Sequence, residues 1–361
     1  MKAMFMIMPL IYLGGSGYLL WRTWTLVAGT PLWVRIIYAL LYAVMSMLLF
    51  IAIGMRGTSL PEWLLRGAFR VGAVWILLMF YMIMALTLCD VIGWIFPSFH
   101  AKLPVALALT LAVMTYGYIN YRNPHVERID LAIDKPLGCD SLKIVAVSDV
   151  HLGYGTGKRA LQRYVEMINL EKPDVVLIAG DLIDNSIAPV RSTRMHEELA
   201  QINAPLGVYL ALGNHEYISG VEECVEFFEQ ASVQVLRDNI AILPNGVQIA
   251  GRDEWMNRQR LSLEEIVAQC DPSRPIVLID HQPYNLGETD AAGVDLQISG
   301  HTHHGQVFPL NFITDIMYEQ SHGYRKWQHS HIYVSSGLSL WGPPFRIGTH
   351  SDMAVITVKN R

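Results

Sequence analysis

The sequence predicts a transmembrane region of four helices followed by an α/β domain. Two observations carry this. Of 361 residues 16% are charged and 52% hydrophobic, yet residues 1–121 hold one Asp, Asp90, and one Glu, Glu62. Beyond about residue 122, short β-branched runs alternate with amphipathic stretches and charges are spread throughout. The boundaries read as 1–121 for the helical region, 122–141 for a linker and first-strand region, and 142–361 for the α/β domain.

Four apolar segments, Met4–Leu20, Leu32–Gly54, Ala68–Leu88 and Leu103–Ile119, approach the roughly 20 residues that cross a bilayer as a helix. Trp and Tyr crowd several ends, as in interfacial belts: Trp21, Trp24, Trp33, Trp94, Tyr116, Tyr118 and Tyr121. The first segment lacks a small-x-small cleavage site and reads as a retained helix. With four spans, Lys2, Arg56, Arg66, Arg70, Arg122 and Arg128 flank one side, and Arg22, Arg35 and Lys102 the other. Six basic residues against three place the α/β domain on the cytoplasmic face of a multi-pass cell-membrane protein. Asp90 falls where the third span ends, as an interfacial acid; a transport pathway would need more polar groups inside the spans.

In the α/β domain the strand candidates are Lys143–Val147, Val175–Ala179, Val208–Ala211, Val233–Leu236, Val247–Ala250, Ile276–Ile279, Leu296–Ser299, Ile332–Ser335 and Met353–Val358. Helix candidates are Lys158–Asn169, Ser192–Ile202, Val221–Ala231 and Ser262–Cys270, the last opening with Ser262 and Glu265 as a capping box. Early βαβ alternation implies a parallel sheet covered by helices. Four cysteines without a CxxC pair exclude a zinc ribbon and suit a reducing compartment. A net charge of -5 speaks against nucleic acid as a partner.

Chemistry gathers where the strands end. Ser148-Asp149-Val150-His151 follows the first, Gly180-Asp181-Leu182-Ile183-Asp184 the second and Gly213-Asn214-His215-Glu216 the third. Asp280-His281 and Gly300-His301-Thr302-His303 follow two later ones. Ligands of open α/β sheets collect outside the carboxyl ends of the strands, so five such ends can build one site. Carboxylate, imidazole and amide oxygen without thiolate suit Mn²⁺, Fe or Zn²⁺. Alternate residues on an extended chain end can turn two side chains to one point, and Asp181, on the central strand, is the natural bridge between two ions. Each motif alone is commonly a turn; five in order, each after a strand, are specific.

As a set these motifs resemble the signature of the calcineurin-like metallophosphoesterases, over about residues 140–358. The resemblance implies an α/β/β/α sandwich and a dinuclear site, with Asp149, His151 and His303 on one ion, Asn214, His281 and His301 on the other, and Asp181 shared. It further implies His215 as the acid protonating the leaving oxygen, oriented by Asp184. Gly305-Gln306-Val307 and the stretch from Ser335 through Trp341 to Arg346 resemble a bacterial membrane-associated branch, near the UDP-diacylglucosamine hydrolases of lipid A synthesis. His304 departs from the pattern, standing where a Gly is expected, and reads as a surface histidine. Arg346 is a candidate substrate contact, since a guanidinium grips phosphate through paired hydrogen bonds. Trp341, Phe345, Tyr324 and Trp327 could wall an acyl chain. The expectation is a membrane-anchored phosphodiester or pyrophosphate hydrolase acting on an amphiphile; the alternatives are a tethered phosphodiesterase of soluble nucleotides, or a signalling or scaffold protein with a relict metal site.

Overall fold

The structure, a computed structural model, describes residues 2–55, 58 and 60–360, with side chains from residue 9 onward. Arg56 and the side chain of Lys2, both in the basic tally above, lie outside the described residues. Two compact units emerge: Met1–Tyr118 with Gly342–Pro344, and Ile119–Trp341 with Phe345–Arg361.

The first unit is helical: α1 (Lys2–Thr23), α2 (Leu32–Gly54), α3 (Glu62–Ile95) and α4 (Lys102–Tyr121). Among the described residues α2, α3 and α4 are long and apolar enough to cross a membrane; α1 coincides with the first expected span. Gly72 lets α2 and α3 touch, since a Cβ there would lie 2.3 Å from the Leu49 backbone nitrogen; without a hydrophobic drive between helices in lipid, such close packing holds them together. Asp90 is paired: it accepts from Arg22 and, at 3.1 Å, from Lys102.

The second unit holds every strand: β1 (His125–Ile133), β2 (Ser141–Val147), β3 (Val175–Ala179), β4 (Val208–Ala211), β5 (Gln234–Leu236), β6 (Asn239–Ile242), β7 (Gln248–Gly251), β8 (Ile276–Ile279), β9 (Leu296–Ser299), β10 (Gly323–Lys326), β11 (His331–Val334) and β12 (Asp352–Asn360). They form two six-stranded mixed sheets, ordered β1-β12-β2-β3-β4-β5 and β10-β11-β9-β8-β7-β6. Ile144, Leu177 and Tyr209 of the first share one buried apolar cluster with Ile249, Val277, Leu296 and Tyr333 of the second. The other face of the first sheet is covered by α5 (Lys158–Leu170), α6 (Ala188–Ser192), α7 (Met195–Leu199) and α9 (Val221–Gln230), with α8 (Asn214–Ser219) before the last. α10 (Leu263–Val267) packs on the second sheet; α11 (Leu286–Ala291) and α12 (Leu310–Met317) follow. Runs such as Val175–Ala179 are buried throughout because both faces of their sheet are covered.

In the region 122–141, expected to hold a linker and a first strand, β1 runs parallel to β12 over His125–Ile133, with three residues between it and α4. Two expectations are corrected. The helix expected over Ser192–Ile202 is two short ones, broken at Arg194 with φ of 55°. β11 starts and stops one residue earlier than expected, which frees Ser335 for Asp352.

Candidate metal centre

Within each sheet the strands that end in the motifs, β2, β3 and β4 in one and β8 and β9 in the other, run parallel. Their carboxyl ends therefore deliver side chains to a common edge. The loops are sewn together there: Asp149 N–H donates to Gly180 O at 3.1 Å, His151 N–H to Asp181 O at 3.0 Å, and Gly300 N–H to His281 O at 2.9 Å. Asp149, His151, Asp181, His301 and His303 all adopt left-handed φ, between 48° and 70°. The expected extended chain ends are therefore sharp turns. Such backbone costs of order 1–3 kcal/mol per residue and collects where function holds it. Two glycines make room: a Cβ at Gly213 would lie 2.2 Å from Asp181 Oδ1, and one at Gly300 would lie 2.2 Å from Asp149 Oδ2.

The side chains converge in three overlapping groups: Asp149, His151 and His303; His151, Asp181 and His215; Asp181, His281 and His301. In each, one ligand atom per residue lies within 4.8 Å of the others. His151 Nε2 stands 3.0 Å from His303 Nε2, and His303 Nε2 3.3 Å from Asp149 Oδ1. His281 Nε2 lies 3.2 Å from both Asp181 Oδ2 and Asn214 Oδ1. Its Nδ1, 2.7 Å from Ala179 O, donates there, so that in the neutral imidazole Nε2 is the lone-pair nitrogen, the arrangement that orients a metal-binding imidazole. Asp184 Oδ1 sits 3.3 Å from His215 Nδ1 and 3.5 Å from His151 Nδ1, close enough to attract both without a fully aligned hydrogen bond.

The electrostatics ask for positive charge. Burial presses the His151 and His281 imidazoles down, but the carboxylates of Asp149, Asp184 and Asp181 outweigh it and hold both up at about 10. His303 and His301 go the other way, pushed down by burial to about 3 and about 4. A buried cluster of carboxylates, lone-pair nitrogens and one amide oxygen fits divalent cations with mixed N/O preference. Buried histidine nitrogens, His303 Nδ1 among them, also have no hydrogen-bond partner among the described residues.

Glu216 has a role that its motif alone does not reveal. It is fully buried and accepts from the N–H groups of Asp181 at 3.0 Å, Ile183 at 2.8 Å and Gly213 at 2.8 Å. Burial and Asp181 push its carboxyl up to about 7, against those amide donors. The signal was its place three residues after Gly213, at the start of α8, from which its side chain reaches back to the Gly213 N–H. Asp280 is likewise buried, pairing with Arg260 at 2.6 Å and Arg252 at 3.4 Å.

Arg346 is not where a substrate contact would be. It is wholly buried, donating to the carbonyls of His303 at 2.6 Å, Ser339 at 3.1 Å, Gly337 at 3.2 Å and Ser336, and to the Ser351 hydroxyl at 3.2 Å. Its fork is consumed in bracing the loop under His303. The aromatic wall is also different. Phe345 is buried and Trp327 packs beside Leu286 and Ile332, while Tyr324 stacks on His331. The rings beside the centre are Tyr284 and Tyr318, stacked on each other at 5.5 Å with His301 6.4 and 6.3 Å away. His304 is no lone surface residue: it stacks on His322 at 3.5 Å and pairs with Asp315.

Residues 142–305 match the model of the calcineurin-like phosphoesterase family. A zebrafish transmembrane protein with a metallophosphoesterase domain is 33% identical over 71% of this chain and 62% of its own length. Uncharacterised metallophosphoesterases of Campylobacter jejuni and Helicobacter pylori are 30% and 31% identical, over 73% and 69% of this chain and 72% and 69% of their own lengths. The chain thus spans less than two thirds of the zebrafish relative and more than two thirds of the bacterial two.

Proposed function

We propose that this chain, which belongs to the calcineurin-like metallophosphoesterase family, is a membrane-anchored hydrolase that cleaves a phosphodiester or pyrophosphate at two divalent cations. The observation that carries the reading is the chain of overlapping donor groups, in which His151 links Asp149 and His303 to Asp181, and Asp181 links them to His281 and His301, on buried and half-buried side chains. Asp149, His151 and His303 would hold one ion, Asn214, His281 and His301 the other, with Asp181 shared; Mn²⁺, Fe or Zn²⁺ suit the donors. When bound, the ions supply positive charge to the phosphate and lower the pKa of water from 15.7 towards about 7.

This chain's own residues do the rest. His215 follows the ligand Asn214 and is partly exposed at the mouth, its Nδ1 turned to Asp184 at 3.3 Å. That leaves Nε2 to carry a proton to the departing oxygen. Its backbone N–H donates to Asp181 Oδ1 at 2.8 Å, so the acid and the bridging carboxylate share one rigid frame. Glu216 fixes the turns that present Asp181 and Gly213, and Arg346 fixes the one under His303. Tyr284 and Tyr318 offer an apolar wall beside His301. On this reading the two sheets and their covering helices form the α/β/β/α sandwich of the family, α1 is a fourth span, and the catalytic domain is cytoplasmic. The anchor favours an amphiphilic substrate, with the UDP-diacylglucosamine type as the leading member.

The test is product analysis of the purified full chain with Mn²⁺ against phosphomonoesters, soluble nucleotide diesters and UDP-linked lipids. Cleavage of diesters or pyrophosphates, fastest for the lipids, is expected. Preference for soluble nucleotides would leave the phosphoesterase and remove the lipid; no cleavage by metal-loaded protein would remove both.

A further inference from the structure

Helix α12 is built inside out. Its apolar side chains recur at i, i+1, i+4 and i+5, the spacing of one helix face, yet none of its residues is buried. Ile316 is 85% exposed, Met317 62%, Phe312 56% and Ile313 52%. Its polar Asn311 and Thr314 are half-buried instead, and the exposed Asp315 reaches His304 Nε2 at 3.5 Å, beside the stacked His304 and His322 rings. Elsewhere in the same unit the amphipathic helices obey the opposite rule, α5 burying Leu161, Tyr164, Val165 and Ile168. A contiguous exposed apolar face marks a surface that is covered in use.

We propose that lipid covers it: α12 lies in the interfacial layer of the bilayer that holds the chain's own helices, apolar face among the acyl chains. Two facts select a bilayer over a protein partner. Among the described residues three helices are long and apolar enough to span one. The last of them ends at Tyr121 and β1 begins at His125, so four Cα steps of about 3.8 Å, some 15 Å in all, are the longest leash between membrane and domain. A domain so confined meets a water–lipid boundary, where a short helix with Phe, Ile and Met on one face buries them at little cost. Through Gln306–Pro309 the helix is continuous with the turn His303–Gly305, so its docking holds one lip of the metal centre at the headgroups. The proposal rests on the membrane assignment and stands whether or not the centre hydrolyses a phosphoester.

The experiment reads depth rather than turnover. The full chain, with Cys139 and Cys270 replaced by Ser, carries an environment-sensitive dye at Ile316→Cys and is reconstituted in phosphatidylcholine–phosphatidylglycerol vesicles. Expected is strong quenching by lipids bearing a nitroxide on the acyl chain and protection from aqueous iodide. The same dye at Leu170→Cys, an exposed apolar position on α5 (79%), is expected to show the reverse. Iodide quenching at 316 equal to that at 170 overturns the proposal, as does protection from both quenchers, the signature of a protein partner or a second copy. A dye at Met317→Cys repeats the reading should the first variant misfold.

Discussion

Both units of this molecule cluster polar side chains, and they handle them in opposite ways. In the helical unit polar groups find one another: Asp90 takes Arg22 and Lys102, and Ser16 shares hydrogen bonds with Tyr42 and Ser46. In the catalytic unit they converge and stop short. His151 faces His303, nitrogen to nitrogen, while Asp181 and Asn214 turn oxygens to one lone-pair nitrogen of His281. A self-satisfied network is structure; a network whose lone pairs face one another is a receptor for something positive.

The sharpest break of this contrast is at its hinge. Asp181→Asn keeps the shape of the side chain and removes the charge that the two proposed ion sites would share. Elemental analysis is expected to show loss of bound metal, with turnover falling below detection and the fold intact by circular dichroism. Retention of two ions per chain would unseat Asp181 as the bridge. Next in size, His215→Asn is expected to keep both ions and slow turnover by at least about a hundredfold, the usual worth of a positioned acid. Loss of metal in that variant would move His215 into the ligand set.

Arg346 separates bracing from binding. Burial pulls its guanidinium down to about 10, still charged at neutral pH, and every contact named above is to this chain's own oxygens. Arg346→Met should strand several buried carbonyls, at about 1–3 kcal/mol each before relaxation, and lower the melting temperature by many degrees. KM of the surviving folded fraction should stay unchanged. A raised KM with an unchanged melting temperature would return Arg346 to the substrate.

The split in the chain and the convergence of the strand-end side chains were legible because charge depletion and strand-end motifs are local signals. Five spaced motifs sufficed to bring Asp149, His151, Asp181, Asn214, His281, His301 and His303 to one place. Roles set by partners far along the chain were not legible. Arg346 looks the same in sequence whether it grips a phosphate or the carbonyl of His303, 43 residues away. Glu216 sits in a known motif, but only folding shows its oxygens taking three amides. The bounds of β1 were not legible because a charged edge strand alternates weakly, and α12 because eight residues with an outward apolar face make too short a pattern.

The smallest expected effect tests the other side of the comparison. Asp90 lies near the end of α3 with its carboxylate 38% exposed, and its partners Arg22 and Lys102 are 17% and 35% exposed. Ion pairs this accessible contribute about 0.2–1 kcal/mol, because water screens the attraction and long side chains lose freedom in holding it. Asp90→Asn keeps the size and part of the hydrogen bonding, so Arg22 and Lys102 are left with a neutral acceptor and access to the interface. Turnover in vesicles should change less than twofold and the melting temperature by no more than a degree or two. The helical unit would then be an anchor whose charges serve only its own packing. Should Asp90→Asn abolish turnover while both ions stay bound, the Arg22–Asp90–Lys102 group would be coupled to catalysis, and the contrast between a closed polar network and an open one would no longer separate structure from function.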